Sequence, residues 1–385
     1  MSGENSSLCV FVKSEDIVYR FYIFATGHIL IGGFGLVGNV LAVIVFSRPR
    51  MLSSNAEFLR ALALTDISLI LSAHLIYVVE IASEYFENFL LYQVWHAYLK
   101  ECFVVSHASH AAGIYFTVAA SVERYLSISQ ILYSTLDSKD ESKCSRSLAR
   151  LCSLLILGIM TALSVSKYWE ITVYHVSECG GFASFRVLQG HLLLNQDYVR
   201  FSVWMSTVIL VFLPFSVLFF LNLAILYRSV RESNHTPASL MNSPWFAKME
   251  LRQRRLRGKE MTTTLMGIVS VFLFCNFPSV IMNVVEHSWP AALKTRPRLY
   301  SFGRDSINLL TVINSCSNGI VYFVSSQRYR REVKQFLHCC FNHQKLSESQ
   351  RGYSINCNQS SQHSDCFESN GKDTELGALI SARSV

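Results

Sequence analysis

Hydrophobic residues are concentrated in seven long stretches, and polar segments separate them. The stretches cover residues 21–46, 61–79, 102–122, 151–166, 201–227, 261–285 and 306–327. Asp66 is the only Asp, Glu, Lys or Arg inside them. The hydrocarbon core of a bilayer is about 30 Å thick and takes about 20 apolar residues of helix. The fourth stretch is short and is extended back to about Ser147. The pattern predicts an all-α membrane protein, a bundle of seven transmembrane helices.

The segments that flank the bundle have a different character. We expect a polar tail over residues 1–20, the seven-helix domain over 21–327, and a disordered tail rich in Ser, Gln and Asn over 342–385. Between them, residues 328–341 carry an apolar stripe opposite Arg and Lys, which predicts a short amphipathic helix on the membrane surface. No cleavable signal peptide is visible at the start, so the first membrane helix would direct targeting.

Composition agrees with a membrane protein, and charge gives it an orientation. Hydrophobic residues make up 51% and charged residues 16%, whereas soluble chains carry nearer about 25% charged. Lys and Arg crowd the segments after the first, third, fifth and seventh stretches, so these segments are predicted to be cytoplasmic and the N-terminus extracellular. The net charge of +7 reflects this asymmetry, and no soluble basic domain suggests nucleic-acid binding.

Cysteines and one sequon suggest covalent modifications. Cys102 and Cys179 both fall on the predicted outer side, where a disulfide can form, and Cys9 is a competing partner. Asn5 begins an Asn-Ser-Ser glycosylation sequon in the outer tail. Cys339 and Cys340 follow the seventh helix closely and are candidates for palmitoylation.

Six short motifs occur in order, each within its own apolar stretch or directly at its end. They are Gly35-Leu-Val-Gly38-Asn39, Leu62-Ala-Leu-Thr-Asp66, Glu123-Arg124-Tyr125, Pro214, Cys275-Asn276-Phe277-Pro278 and Asn318-Gly-Ile-Val-Tyr322. Together they resemble the motifs of rhodopsin-like (class A) G-protein-coupled receptors. Four looser patterns are most similar to invertebrate FMRFamide-type neuropeptide receptors. These are Lys167-Tyr-Trp-Glu170, Leu213-Pro214 with Leu221-Asn222, Phe274-Cys-Asn-Phe-Pro278, and Val312-Ile-Asn-Ser315 before Asn318.

The resemblance implies an activation machinery in the cytoplasmic half of the bundle. By this resemblance, Glu123, Arg124 and Tyr125 couple the receptor to a heterotrimeric G protein, and the sixth helix tilts about Pro278. Two positions depart from the family pattern, because Asn276 replaces its tryptophan and Gly319 its proline. Asn276, Asn318 and Tyr322 belong to the same predicted set. Arrestin and a receptor kinase are expected partners of the C-terminal tail.

Asp66 needs partners, because an ionisable group within the membrane is costly. Asn314, Ser315 and Asn318 are expected to meet it. The resemblance implies that this cluster holds a sodium ion, although Gly113 replaces the usual hydroxyl on the third helix. A hydrogen-bonded polar cluster without metal is the alternative, and no other cofactor is expected.

The resemblance also places a ligand pocket at the outer ends of the helices. Its predicted residues are Ser106, His107, His110, Asn283, Glu286, Glu80 and Glu170. Carboxylates there suit a peptide bearing arginine, such as one ending in Arg-Phe-amide.

The leading hypothesis is a multi-pass plasma-membrane receptor for an amidated peptide, not an enzyme. A lipid or other small molecule is the alternative ligand. A transporter or channel is the alternative class, but transporters tend to contain internal repeats, and none is visible.

Overall fold

The computed structural model describes residues 9, 11, 13–129, 139–234, 245–288 and 295–338. The predicted sites Asn5, Cys339 and Cys340 and the tail 342–385 lie outside this part of the chain. In the described part, seven helices are long and apolar enough to cross a membrane, which confirms the predicted bundle. We call these spans α1 to α7, and they are Ile17–Phe46, Ser54–Tyr85, Phe89–Leu126, Ser145–Trp169, Gln196–Ile225, Thr263–Glu286 and Pro297–Ser325.

Several helices continue beyond the apolar stretches that predicted them. The helix containing α3 runs from Phe89 to Ser129, and the one containing α6 from Trp245 to Ser288. α7 begins at Pro297, with proline in its first turn. Proline suits this position, because the first N–H groups of a helix have no partner within the helix. A further helix, α8, covers residues 327–338.

Helices α1 and α7 cross at small residues. A Cβ atom built on Gly319 would lie 3.0 Å from the Cα atom of Gly38. A Cβ atom built on Gly35 would overlap the Sγ atom of Cys316. The Asn39 amide spans the same crossing and donates to the Ser315 carbonyl oxygen at 3.0 Å. Glycine at 319, where the family usually has proline, therefore allows a direct backbone contact.

Within the described residues, the backbone widens into π-helical turns in three places. These are Arg20–Ala25 in α1, His74–Val78 in α2 and Ser206–Phe212 in α5. The turn in α5 ends just before Pro214, whose missing N–H leaves a carbonyl of the preceding turn without its usual partner. Pro278 lies inside α6 and interrupts its hydrogen bonding in the same way.

A β-hairpin connects α4 to α5, which the sequence did not predict. Strand β1, Ile171–His175, pairs antiparallel with β2, Phe185–Gln189, and Val173 faces Val187 across the pair. Ile171 and Val173 pack against a buried cluster that contains Trp95 and Leu99. We call this end of the bundle the hairpin end and the other the opposite end.

The disulfide joins Cys9 to Cys179, and Cys102 is a free thiol. The predicted Cys102–Cys179 pairing is therefore wrong, and the competing partner Cys9 forms the bond. The error follows from the boundary of α3, which begins at Phe89 rather than at Cys102. From Phe89 to Cys102 the helix rises about 20 Å, at about 1.5 Å per residue. Cys102 is thus half-buried within the bundle, packed against the Trp95 cluster.

The described N-terminal residues from Cys9 to Arg20 are tied to the hairpin and to several helix ends. We call these residues the strap. Lys13 donates to Glu87 at 2.6 Å, and its ammonium holds the pKa of that carboxyl below its usual range. The backbone N–H of Ser14 donates to Glu84 at 2.6 Å, and Arg298 of α7 pairs with Glu15. The strap therefore connects the hairpin with the ends of α2 and α7.

Candidate functional site

A cavity of about 700 Å³ occupies the hairpin end between α3, α4, α5, α6 and α7. Its volume lies within the about 300–1,000 Å³ that is usual for ligand sites. Five of the predicted pocket residues line it, namely Ser106, His107, His110, Glu170 and Glu286. Positions 106 and 110 are four apart and 107 and 110 three apart, so one face of α3 presents all three side chains.

Glu170 is held firmly at the cavity wall. Its Oε1 atom accepts from the Lys167 ammonium at 2.7 Å, from the Tyr198 hydroxyl at 2.8 Å and from the Ser202 hydroxyl at 3.2 Å. Lys167 also donates to Ser202 at 3.1 Å. These contacts connect the end of α4 to α5. Removing one partner would leave a charge largely buried, so the group acts as a unit.

Glu286 forms a second ion pair on the other side of the cavity. The Nε atom of Arg304 in α7 lies 2.9 Å from Oε1 of Glu286 in α6. The Arg304 side chain is 44% exposed and that of Glu286 25% exposed, so this pair is wetter than the Glu170 group. Sequence reasoning missed Arg304 because the charged first turns of α7 precede the apolar stretch that defined the helix.

Two predicted pocket residues are placed differently. Glu80 does not line the described cavity; its Oε1 atom lies 3.6 Å from Arg20 of α1. Arg20 also donates to Asp305 of α7 at 2.9 Å. Glu80 thus belongs to an ion-pair group that joins α1, α2 and α7. Asn283 lies in α6, and its side chain is outside the described part of the structure.

Asp66 meets the partners expected for it on α7. Asn318 donates from Nδ2 to its Oδ2 at 2.7 Å, and Ser315 lines the same small cavity as Asp66. A cavity of about 10 Å³ adjoins these groups and Asn314, enough space for about one water-sized particle. Among the described residues no cation forms an ion pair with Asp66, which is 4% exposed. The oxygen-rich lining fits a small hard cation.

Comparison with known families identifies the fold. The family model of the seven-transmembrane receptors of the rhodopsin family matches residues 38–322. The chain belongs to this receptor family.

Three named relatives share about a quarter of the receptor's aligned residues. The receptor is 24% identical to the FMRFamide receptor of Drosophila melanogaster over 306 residues, covering 78% of this chain. The match spans 51% of the Drosophila protein, about half its length. Identity is 25% to the probable G-protein coupled receptor frpr-1 of Caenorhabditis elegans, covering 86% of this chain and 84% of the relative. Identity is 26% to the FMRFamide peptide receptor frpr-18 of the same species. That match covers 80% of this chain and 67% of the relative.

Three of the receptor's motif residues, Asn276, Tyr322 and Arg124, lie inside the bundle. Asn276 lines the large cavity, two residues before Pro278. Its amide donates to the Phe272 carbonyl oxygen at 2.8 Å. Tyr322 is 1% exposed, and its ring lies 5.1 Å from that of Phe46. Arg124 is buried at the opposite end of α3, between Glu123 and Tyr125.

Glu57 is an acidic residue of the opposite end that sequence reasoning missed. Its Oε1 atom accepts from the Nε atom of Arg150 at 3.0 Å, and its Oε2 atom lies 2.6 Å from Arg60. This group joins α2 to α4. A charged residue at the start of a helix looks solvated in sequence, so no pattern distinguished Glu57.

Proposed function

We propose that this receptor binds an extracellular amidated, FMRFamide-like neuropeptide and activates a heterotrimeric G protein. The observation that carries the proposal is the large cavity of the hairpin end, with a carboxylate on either side. Two relatives named as FMRFamide receptors, one from an insect and one from a nematode, support the choice of peptide. The disulfide at the hairpin end supports an extracellular location for that end, because disulfides persist in oxidising compartments.

Both cavity carboxylates already have a protein cation, so an arginine of the peptide has to replace one. Glu286 is the better acceptor, because its partner Arg304 is nearly half exposed and can turn to water. Glu170 is held by three donors and is 11% exposed, so exchange there costs more. The peptide guanidinium would form a bidentate pair with Glu286, the geometry in which arginine binds carboxylates best.

Exchange at Glu286 also suggests how binding reaches the G protein. The Glu286–Arg304 pair joins α6 to α7 at the hairpin end, and Pro278 provides a hinge below it. A ligand that replaces Arg304 removes this connection and favours a state in which α6 tilts. A ligand shifts such an equilibrium only by its differential affinity for the two states. The opposite end of α6, with Arg124 nearby, would then accept the G protein.

The peptide proposal is tested on cells that express the receptor at their surface. A library of amidated neuropeptides is applied, with calcium and cyclic AMP as readouts. We expect a response to peptides ending in Arg-Phe-amide, and about ten-fold or more loss of potency in Glu286→Gln, since a charged hydrogen bond contributes about 1.5–3 kcal/mol. Glu15→Gln removes an exposed carboxylate of the strap and serves as the control. Arg124→Ala should bind peptide but not signal.

The same cell assay distinguishes the peptide from the other candidate ligands. Silence across the library, with surface expression confirmed, contradicts the peptide proposal. A response to lipids or to another small molecule in the same assay would then support the second candidate. Its supporting observation is that the cavity is lined on α6 and α7 by apolar Phe272 and Ile307 as well as by charges.

A further inference from the structure

A second cavity lies between α3, α4 and α5, and we call it the side cleft. Its volume is about 270 Å³. An apolar cavity of about 150 Å³ holds benzene, so this one has room for a larger ring system or a segment of chain. Its lining includes Leu163 of α4 and Phe201 of α5, apolar residues of two membrane spans that are 48% and 61% exposed. The side cleft is therefore accessible from lipid.

The side cleft and the large cavity share one wall. His107, Lys167, Ser202 and Leu210 line both. Lys167 and Ser202 are the same groups that hold Glu170. An occupant of the side cleft would thus lie against residues that shape the large cavity, without entering it.

The residues that line the side cleft change from polar to aliphatic with increasing distance from the hairpin end, on both α4 and α5. On both α4 and α5, the hydroxyl and amine groups are nearer the hairpin end and the aliphatic groups lie deeper. The polar members are Ser164, Ser166, Lys167, Tyr198 and Ser202, and the aliphatic members are Met160, Leu163, Met205, Ile209 and Leu210. A lipid of the leaflet at the hairpin end has the same order, with its polar head at the surface and its apolar body inside.

The depth of the side cleft also matches one leaflet. From Tyr198 to Ile209, α5 rises about 16 Å at about 1.5 Å per residue. Half of a hydrocarbon core of about 30 Å is about the same length. The side cleft can therefore hold a molecule lying along the membrane normal within a single leaflet.

Charge and hydrogen bonding indicate the kind of head group. Lys167 is neutralised by Glu170 at 2.7 Å, so an anionic head would have to compete with an existing ion pair. The hydroxyls of Ser164 and Ser166 donate to carbonyl oxygens of their own helix, at 2.8 Å and 3.2 Å. Their oxygen lone pairs remain acceptors. An uncharged head that donates a hydrogen bond, such as a hydroxyl group, complements these groups.

We propose that the side cleft is a binding site for an uncharged amphipathic lipid with a hydroxyl head, taken from the leaflet at the hairpin end. The hydroxyl lies near Ser164 and Ser166, and the apolar body lies along Met160, Met205 and Ile209. The site is separate from the large cavity and does not depend on the peptide proposal.

The test uses the full-length receptor in phosphatidylcholine nanodiscs that contain a photoreactive cholesterol analogue. After irradiation, labelled peptides are mapped by mass spectrometry. We expect saturable labelling of α4 and α5 next to the side cleft, which excess cholesterol displaces and excess oleate, an anionic lipid, does not. Ala111→Leu places a larger side chain in the side cleft and should reduce this labelling about ten-fold, about 1.4 kcal/mol of binding. Gly158→Leu is the control, because a Cβ atom there meets nothing within 4 Å.

Thermal unfolding of each variant shows whether it is folded. Should Ala111→Leu unfold, Ser166→Ala replaces it, because Ser166 is half-buried in the lining of the side cleft and the change removes only its hydroxyl, which donates to the Leu163 carbonyl oxygen. Labelling spread evenly over the lipid-facing helices overturns the proposal. Equal displacement by oleate overturns the head-group assignment, and unchanged labelling in the folded cleft variant overturns the location.

Discussion

Asp66 is a buried carboxylate whose described partners are neutral. The amide of Asn318 donates to one of its oxygens and Ser315 lies in the same small cavity, but neither neutralises its charge. Burying an unpaired charge costs several kcal/mol, so a small cation beside it is physically favoured. We propose that sodium occupies the adjoining space of about 10 Å³, bound by Asp66, Ser315 and the amide oxygens of Asn314 and Asn318.

Sodium should therefore stabilise the receptor in an Asp66-dependent way. Raising sodium chloride at constant ionic strength, with choline chloride as the balance, should raise Tm by a few degrees, because a ligand of the folded state adds RT ln(1 + [L]/Kd). Asp66→Asn removes the charge and should abolish the dependence. Thermal unfolding with a fluorescent thiol probe measures both. A sodium effect of equal size in Asp66→Asn would assign it elsewhere.

At the scale of elements, the sequence predicted the helices better than their ends. Each span contains an apolar stretch that was visible in advance, because a lipid-exposed helix has to be apolar. The ends of α3 and α7 carry polar and charged residues and were missed. Cys102 was assigned the wrong partner, and Arg304 and Asp305 were overlooked, for this one reason. The hairpin was missed because a short antiparallel pair in a loop has no distinctive periodicity.

The α1–α7 crossing allows an asymmetric prediction about glycine. A Cβ atom on Gly319 would lie 3.0 Å from the Gly38 Cα atom, whereas one on Gly38 would lie 3.7 Å from the Gly319 Cα atom. Gly319→Ala should therefore lower stability by about 1–3 kcal/mol through overpacking. Gly38→Ala should be close to neutral, and Gly33→Ala should be neutral or slightly stabilising, since nothing lies within 4 Å of its Cβ position. Thermal unfolding of the three variants decides the matter, and equal losses for Gly38 and Gly319 would contradict this packing.

At the scale of the whole molecule, the two ends of the bundle are held in different ways. The opposite end has the Glu57 ion pairs between α2 and α4. At the hairpin end, the strap links the N-terminus, the hairpin, α2 and α7 through a disulfide and surface ion pairs. The Lys13–Glu87 pair is exposed, and such surface pairs contribute little to stability. The disulfide is therefore a stronger constraint on the strap than this exposed pair.

Loss of that disulfide should destabilise the receptor. Substitution of Cys9 or Cys179 should therefore break the bond, whereas substitution of Cys102 should not. Cys9 and Cys179 are separated by 170 residues, and closing long loops stabilises proteins by about 2–4 kcal/mol. We expect Cys9→Ser and Cys179→Ser to lower Tm by similar amounts, with no further loss in the double variant, because either change breaks the same bond. Cys102→Ala should leave the bond intact, and non-reducing peptide mapping should still recover Cys9 linked to Cys179. Recovery of a peptide in which Cys102 is linked to Cys179 would instead restore the pairing first expected. The three single variants therefore distinguish the two pairings even if surface ion pairs hold the strap partly in place.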